Sequence, residues 1–153
     1  MQLQYSNFNG VTMTIRVAIN GFGRIGRNVL RALYESSKNY DIQVVAINDL
    51  GDAAINAHLL KYDTAHGIFS ANVEHRDKAI FVNKDEIITL SERNPANLPW
   101  QQLKIDVVLE CTGLFRSREA ATRHIQAGAK RVIIGAAPFD TVDAAIVYGV
   151  NHH

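Results

Sequence analysis

"RVAINGFGRIGRNVLRALYE", residues 16–35, decides the fold. Apolar, β-prone residues run up to Asn20. Gly21-Phe22-Gly23-Arg24-Ile25-Gly26 then matches G-x-G-x-x-G, and Ile25, Val29, Leu30 and Leu33 follow on one helical face. The glycine pattern alone is weak, but strand, glycine turn and helix in this order are the context that gives it meaning. Gly21 permits a tight turn. Gly23 lacks a Cβ, so a pyrophosphate can approach the backbone. Gly26 lets the helix pack closely on the sheet. Amides at the helix start, and the helix dipole, then favour an anion.

The next expected part is an acid at the end of a second strand. Asp49, in "VAINDL", lies 23 positions beyond Gly26. A carboxylate there accepts hydrogen bonds from ribose hydroxyls and repels a 2′-phosphate. Two unit charges about 4 Å apart repel by roughly 4 kcal/mol at an effective dielectric of 20. NAD is therefore expected over NADP. A structural glycine turn beside a solvated aspartate is the alternative; it leaves the agreement of strand, loop, helix, strand and acid unexplained.

Outward from this unit, strands and helices alternate. Ile15–Ile19 and Ile42–Ile47 read as strands. Asp52–Leu60 reads as a helix with Ile55, Leu59 and Tyr62 on one side. "ANVEH" and "KAIFVNKDEIITL", with a turn at 83–85, predict short antiparallel strands. "NPANLPW" marks a loop with a turn of helix after Pro99. Asp106–Glu110 is a buried strand. Ser117–Ala127 is a helix capped by Ser117 and followed by Gly128. Arg131–Ile134 and Ala144–Tyr148 are two further strands. The pattern predicts an α/β, Rossmann-type, doubly wound and mostly parallel sheet with a short antiparallel insertion. Residues 1–12 are polar and without period, and read as a poorly ordered extension before a domain at 13–153.

Hydrophobic residues make up 47% and charged residues 20%, ordinary for a globular protein. A net charge of +1 gives no electrostatic reason to expect nucleic acid or an anionic membrane as partner. No apolar run approaches a membrane span, and the N-terminus has no basic-then-apolar signal, so a cytoplasmic protein is expected. One cysteine precludes an intrachain disulfide and fits a reducing compartment. That cysteine, Cys111, follows a buried strand and has no histidine beside it in the pattern. It reads as a small hydrophobe rather than a nucleophile. Thr112 and Gly113 lie just past the same strand, where open α/β sheets bind ligands. The six histidines form no metal-binding spacing, so no metal is expected. Arg24 is a candidate pyrophosphate neighbour, and Arg27 reads as a solvated helix residue.

"INGFGRIGR", "INDL", "HLLKYDTAHG", "ERNPANLPW", "ECTGLF", "HIQAGAKRVII" and "YGVN" occur in one order. Together they resemble the NAD-binding domain of the phosphorylating glyceraldehyde-3-phosphate dehydrogenases, over about residues 13–152. The erythrose-4-phosphate dehydrogenases are the sister match. The resemblance implies NAD contacts from Asn20, Gly21, Phe22, Gly23, Arg24 and Ile25, with Asp49 on the ribose. It implies Arg93 beside the adenine, with Asn94 where the family has Asp. Cys111, Thr112, Gly113 and Phe115 match a further cofactor segment. Gly135 and Ala136 match the segment on the nicotinamide side, where the family serine is missing.

The family's nucleophilic cysteine follows Y-G-V-N in a motif that these 153 residues do not include. The chain is thus expected to be a cofactor domain with no catalytic residue of its own. The resemblance implies a parent that oxidises a sugar-phosphate aldehyde through a cysteine thiohemiacetal in glycolysis, as a homotetramer. The sister family would place it in pyridoxal phosphate biosynthesis. A stand-alone, non-catalytic nucleotide-binding module is the alternative of another class.

Overall fold

The computed structural model describes residues 14–152; the predicted extension at 1–12 lies outside them. In chain order the elements are β1 (Ile15–Asn20), α1 (Arg24–Glu35), β2 (Ile42–Asn48), α2 (Ala53–Lys61), β3 (Tyr62–Asp63), β4 (Gly67–Ile68), β5 (Val73–Arg76), β6 (Ala79–Val82), β7 (Asp85–Leu90), β8 (Val107–Glu110), α3 (Arg118–Gln126) and β9 (Arg131–Ile134).

Seven strands form one sheet in the order β5-β6-β7-β2-β1-β8-β9. Pairs from β7 to β9 are parallel, and β5–β6–β7 is an antiparallel meander. The predicted insertion is therefore continuous with the main sheet rather than separate from it. Both tight turns of the meander use non-glycine residues with positive φ, Asp77 and Asn83. Asp and Asn tolerate that conformation best. The sequence leaves β1 first toward β2 and later returns to its other side as β8. The crevice at such a reversal is where open α/β sheets bind ligands.

Side chains from alternate faces feed two cores. Val17, Ile19, Val44, Ile47 and Leu30 pack with Leu60, Phe69 and Ile80 on one side. Ala18, Val45, Ala46 and Val108 pack with Leu98, Trp100 and Ile105 on the other. Val45 and Ala46 share a face because the β1–β2 register slips by one residue there, between Val17/Val44 and Ala18/Ala46. Each fully buried Leu or Ile contributes about 1.5–3 kcal/mol.

Four expectations need correction. Ala144–Tyr148 is not a strand. Asn151 folds back on it, its Oδ1 accepting the Val147 amide (2.6 Å) and its Nδ2 donating to the Ala145 carbonyl (2.9 Å). Its backbone groups are met by these local bonds rather than by β9, whose outer edge carries no partner among the described residues. The Ile55–Leu59–Tyr62 side of α2 faces out, with the three residues 53%, 39% and 52% exposed. Ala53, Asn56, Ala57 and Leu60 face in. On α1 the apolar stripe is likewise split: Leu30 is buried, while Ile25 and Val29 are exposed. The helical turn of the "NPANLPW" segment falls at Pro95–Asn97, and a hydrogen-bonded turn follows Pro99.

Candidate functional site

Three loops meet at the carboxyl end of β1, β2 and β8. Gly21 turns the chain with φ +88°, and a Cβ there would lie 2.6 Å from the Thr112 nitrogen. The glycine loop is thus seated on the loop after β8. A Cβ on Gly26 would lie 2.3 Å from the Gly21 carbonyl oxygen and 3.0 Å from Ile19. Its missing side chain lets α1 close on both β1 and the turn. Gly23 differs from both: nothing lies within 4 Å of its Cβ position.

Gly23 is the N-cap of α1, and no side chain caps the helix. The first intrahelical bond runs from the Arg27 amide to the Gly23 carbonyl, so the amides of Arg24, Ile25 and Gly26 precede it. Gly113, with φ +74°, is equally open. Open backbone at Gly23 and Gly113, beside uncapped helix amides, fits a dinucleotide pyrophosphate.

Asp49 sits half-buried at the end of β2. Its Oδ2 accepts the Phe22 amide (2.8 Å) and its Oδ1 the Gly51 amide (2.9 Å). The carboxylate therefore shapes the glycine loop as well as standing beside it. Arg27 is not a solvated bystander: its guanidinium donates to the Phe22 carbonyl at 2.9 Å, bracing the loop from behind. Arg24 and Ile25 are exposed at the helix start. Phe22 is buried and contributes backbone only.

The site is closed on the β9 side by Gly135, whose amide donates to the Glu110 carbonyl at 2.8 Å. A Cβ on Gly135 would meet Cys111 Sγ at 3.6 Å and Ile25 at 3.7 Å. Cys111 is half-buried, and burial, with the Glu110 charge next, pushes its thiol up to about 11. Its Sγ stands beside Gly135 in the wall of the crevice. Ala136 follows Gly135 and is half-buried. Arg93 is exposed just past β7, next to Glu92. Phe115 stands edge-on to the His124 ring.

Sequence reasoning missed a buried polar row beneath these loops. Asn48, Asn20 and Glu110 end β2, β1 and β8 at matched register. Asn48 Nδ2 donates to Asn20 Oδ1 (2.7 Å), and Asn20 Nδ2 donates to Glu110 Oε2 (2.5 Å). Asn48 also takes the Glu92 amide and donates to its carbonyl, both at 2.8 Å. Beyond Glu110 the row continues to His124 Nε2 (3.0 Å) and the Trp100 indole, which donates to His124 Nδ1 at 2.9 Å. Indole is a donor only, so Nδ1 carries a lone pair and Nε2 the hydrogen. His124 thus accepts from Trp100 and donates to Glu110. The sequence signal was present: three buried strands each end in a polar residue.

The family model for the glyceraldehyde 3-phosphate dehydrogenase NAD binding domain matches residues 15–118. The chain belongs to this family. NAD is accordingly the cofactor of this domain. Two glyceraldehyde-3-phosphate dehydrogenases of Cupriavidus necator, chromosomal and plasmid, are 62% and 61% identical to it over 140 residues. One from Pseudomonas aeruginosa is 61% identical over 140 residues. Each match covers 92% of this chain and 42% of the relative. The chain thus spans about two fifths of the length of the curated relatives it matches. The matched family segment runs through the glycine loop, Asp49, Arg93 and the Cys111–Phe115 loop.

Proposed function

We propose that the chain binds NAD in this crevice as the cofactor domain, residues 13–153, of a cytoplasmic phosphorylating glyceraldehyde-3-phosphate dehydrogenase. The observation that carries this is the pairing of open Gly23 and uncapped α1 amides with Asp49 across the same loop. Bound NAD supplies a hydride acceptor. Gly21, Gly23, Arg24 and Ile25 receive the pyrophosphate, with Asn20 and Phe22 holding the backbone that carries them. Asp49 takes the ribose hydroxyls and excludes a 2′-phosphate. Arg93 flanks the adenine. Cys111, Thr112, Gly113 and Phe115 form the wall opposite the glycine loop, and Gly135 and Ala136 border the nicotinamide side.

The parent takes a sugar-phosphate aldehyde and assembles as a homotetramer. The three relatives at 61–62% identity favour glyceraldehyde-3-phosphate over erythrose-4-phosphate as its substrate. Cys111 lies just past β8, half-buried and with its thiol pushed up by burial, so this chain alone is expected to oxidise no aldehyde. Calorimetric titration tests the reading. NAD is expected to bind, and NADP at least tenfold more weakly. A folded sample that binds neither overturns it.

A further inference from the structure

We propose that Glu110 is a positioning residue for the dinucleotide, setting both walls of the crevice from a buried point that does not touch the ligand. This rests on the NAD reading above. Glu110 is 1% exposed, and its two oxygens receive four donors. Oε2 takes Asn20 Nδ2 and His124 Nε2–H. Oε1 takes the Thr112 amide (2.8 Å) and the Thr112 hydroxyl.

Each donor leads to a wall. Asn20 immediately precedes Gly21. Thr112 supports Gly21 directly, since the space of a Gly21 Cβ is filled by Thr112 backbone. Thr112 Oγ1 also accepts the Leu114 amide at 3.0 Å, closing the turn over Gly113. Gly113 itself has no packing to hold its positive φ. The bonds at Thr112 therefore carry the shape of that turn. Through Asn20 and Asn48 the row also reaches Glu92, beside Arg93.

Only a carboxylate meets all four donors. Its two oxygens accept and donate nothing, whereas a glutamine amide replaces one oxygen by two N–H groups. On the Oε2 side those hydrogens would oppose Asn20 Nδ2–H and His124 Nε2–H, whose tautomer Trp100 holds. On the Oε1 side they would oppose the Thr112 amide, though the Thr112 hydroxyl could accept one. The amide nitrogen of Glu110→Gln thus turns to Oε1 and orphans the Thr112 N–H, releasing the turn while the carbon skeleton stays.

The test is calorimetric titration of NAD and NADP into wild type, Glu110→Gln and Val82→Ala, well below each unfolding midpoint. Val82 is buried in β6, away from the crevice, and its truncation lowers stability without touching the row. Glu110→Gln is expected to bind NAD at least tenfold more weakly with the NAD-to-NADP ratio unchanged, and Val82→Ala within twofold of wild type. Unchanged NAD affinity in Glu110→Gln overturns the proposal. So does an equal loss in both variants, which makes the effect one of stability, or a changed ratio, which moves Glu110 to ribose discrimination. If Glu110→Gln does not fold, Trp100→Phe replaces it. It frees the His124 tautomer and is expected to weaken NAD about threefold; no change overturns the proposal. A wild type that binds no NAD instead overturns the underlying reading.

Discussion

The two ends of the central sheet make unlike surfaces from similar material. At the amino end, Thr14, Ile42, Gln43, Asp85 and the loop after α1 line a groove of about 610 Å³. Across it Tyr34 donates an exposed hydrogen bond to Asp85 at 2.7 Å. Burial, reinforced by Asp85, pushes that phenol well above its ordinary range, so it does not ionise near neutrality. The carboxyl end instead holds uncapped helix amides, two open glycines and a buried carboxylate beneath them. Volume does not locate the site. Backbone donors left available, held in place by groups that are fully bonded, do locate it.

The sharpest way to break this contrast is Gly26→Ala. The new Cβ meets a backbone oxygen at 2.3 Å, which cannot rotate away. Overpacking of this kind costs about 1–3 kcal/mol. The urea midpoint should fall accordingly and NAD binding should be lost with the loop geometry. An unchanged midpoint would show that α1 can slide, and the close-packing role would fail. Gly23→Ala is its counterpart. With nothing near its Cβ and φ −70°, stability should stay within about 0.5 kcal/mol. NAD affinity should still drop at least tenfold.

Acid sharpens the comparison next. Burial raises the Glu110 carboxyl, but hydrogen bonds from His124, Thr112 and Asn20 outweigh it and hold the group below its ordinary 4.5. A depressed folded value means stabilisation that is present above 4.5 and lost as pH falls through the folded value. Asp63, held at about 2, and Asp106 also shift down, so wild-type acid unfolding mixes several groups. The difference between wild type and Glu110→Gln isolates one. It should be about 1–3 kcal/mol at neutral pH and shrink below about pH 4.5. A gap constant down to pH 3 would sink the assignment.

Asp49→Ala should narrow the NAD-to-NADP ratio about tenfold, near 1.4 kcal/mol. An unchanged ratio would remove Asp49 from the ribose. The smallest effect belongs to the amino end. Tyr34→Phe removes one exposed hydrogen bond and should cost about 0.5–1 kcal/mol in denaturant unfolding. NAD affinity should not move. A clear affinity change would mean that the two ends of the sheet are coupled.

Much of this was legible in the letters. Strand, glycine loop, helix, strand and acid are contiguous, so local pattern and spacing identify them. The meander was legible because alternation and turn residues are local too. What failed is instructive. Residues 144–148 have strand composition, but composition does not say whether a run joins a sheet edge or is held by local turns. Ile55, Leu59 and Tyr62 have helical spacing, but spacing names a face without saying which face the sheet covers. Arg27 looks like any helix arginine until its carbonyl partner is five residues upstream in space as well as in sequence.

By itself, then, the sequence determined the parallel α/β plan, the glycine loop and Asp49 as its acidic partner, because each depends on residues close in the chain and on backbone rules that no distant contact overrides. The tertiary structure alone decided the row from Asn48 to Trp100. Asn20 and Glu110 are 90 residues apart, and they meet only because β1 and β8 pair in one register. A buried carboxylate needs donors from every side, and only the folded sheet brings four of them to one point.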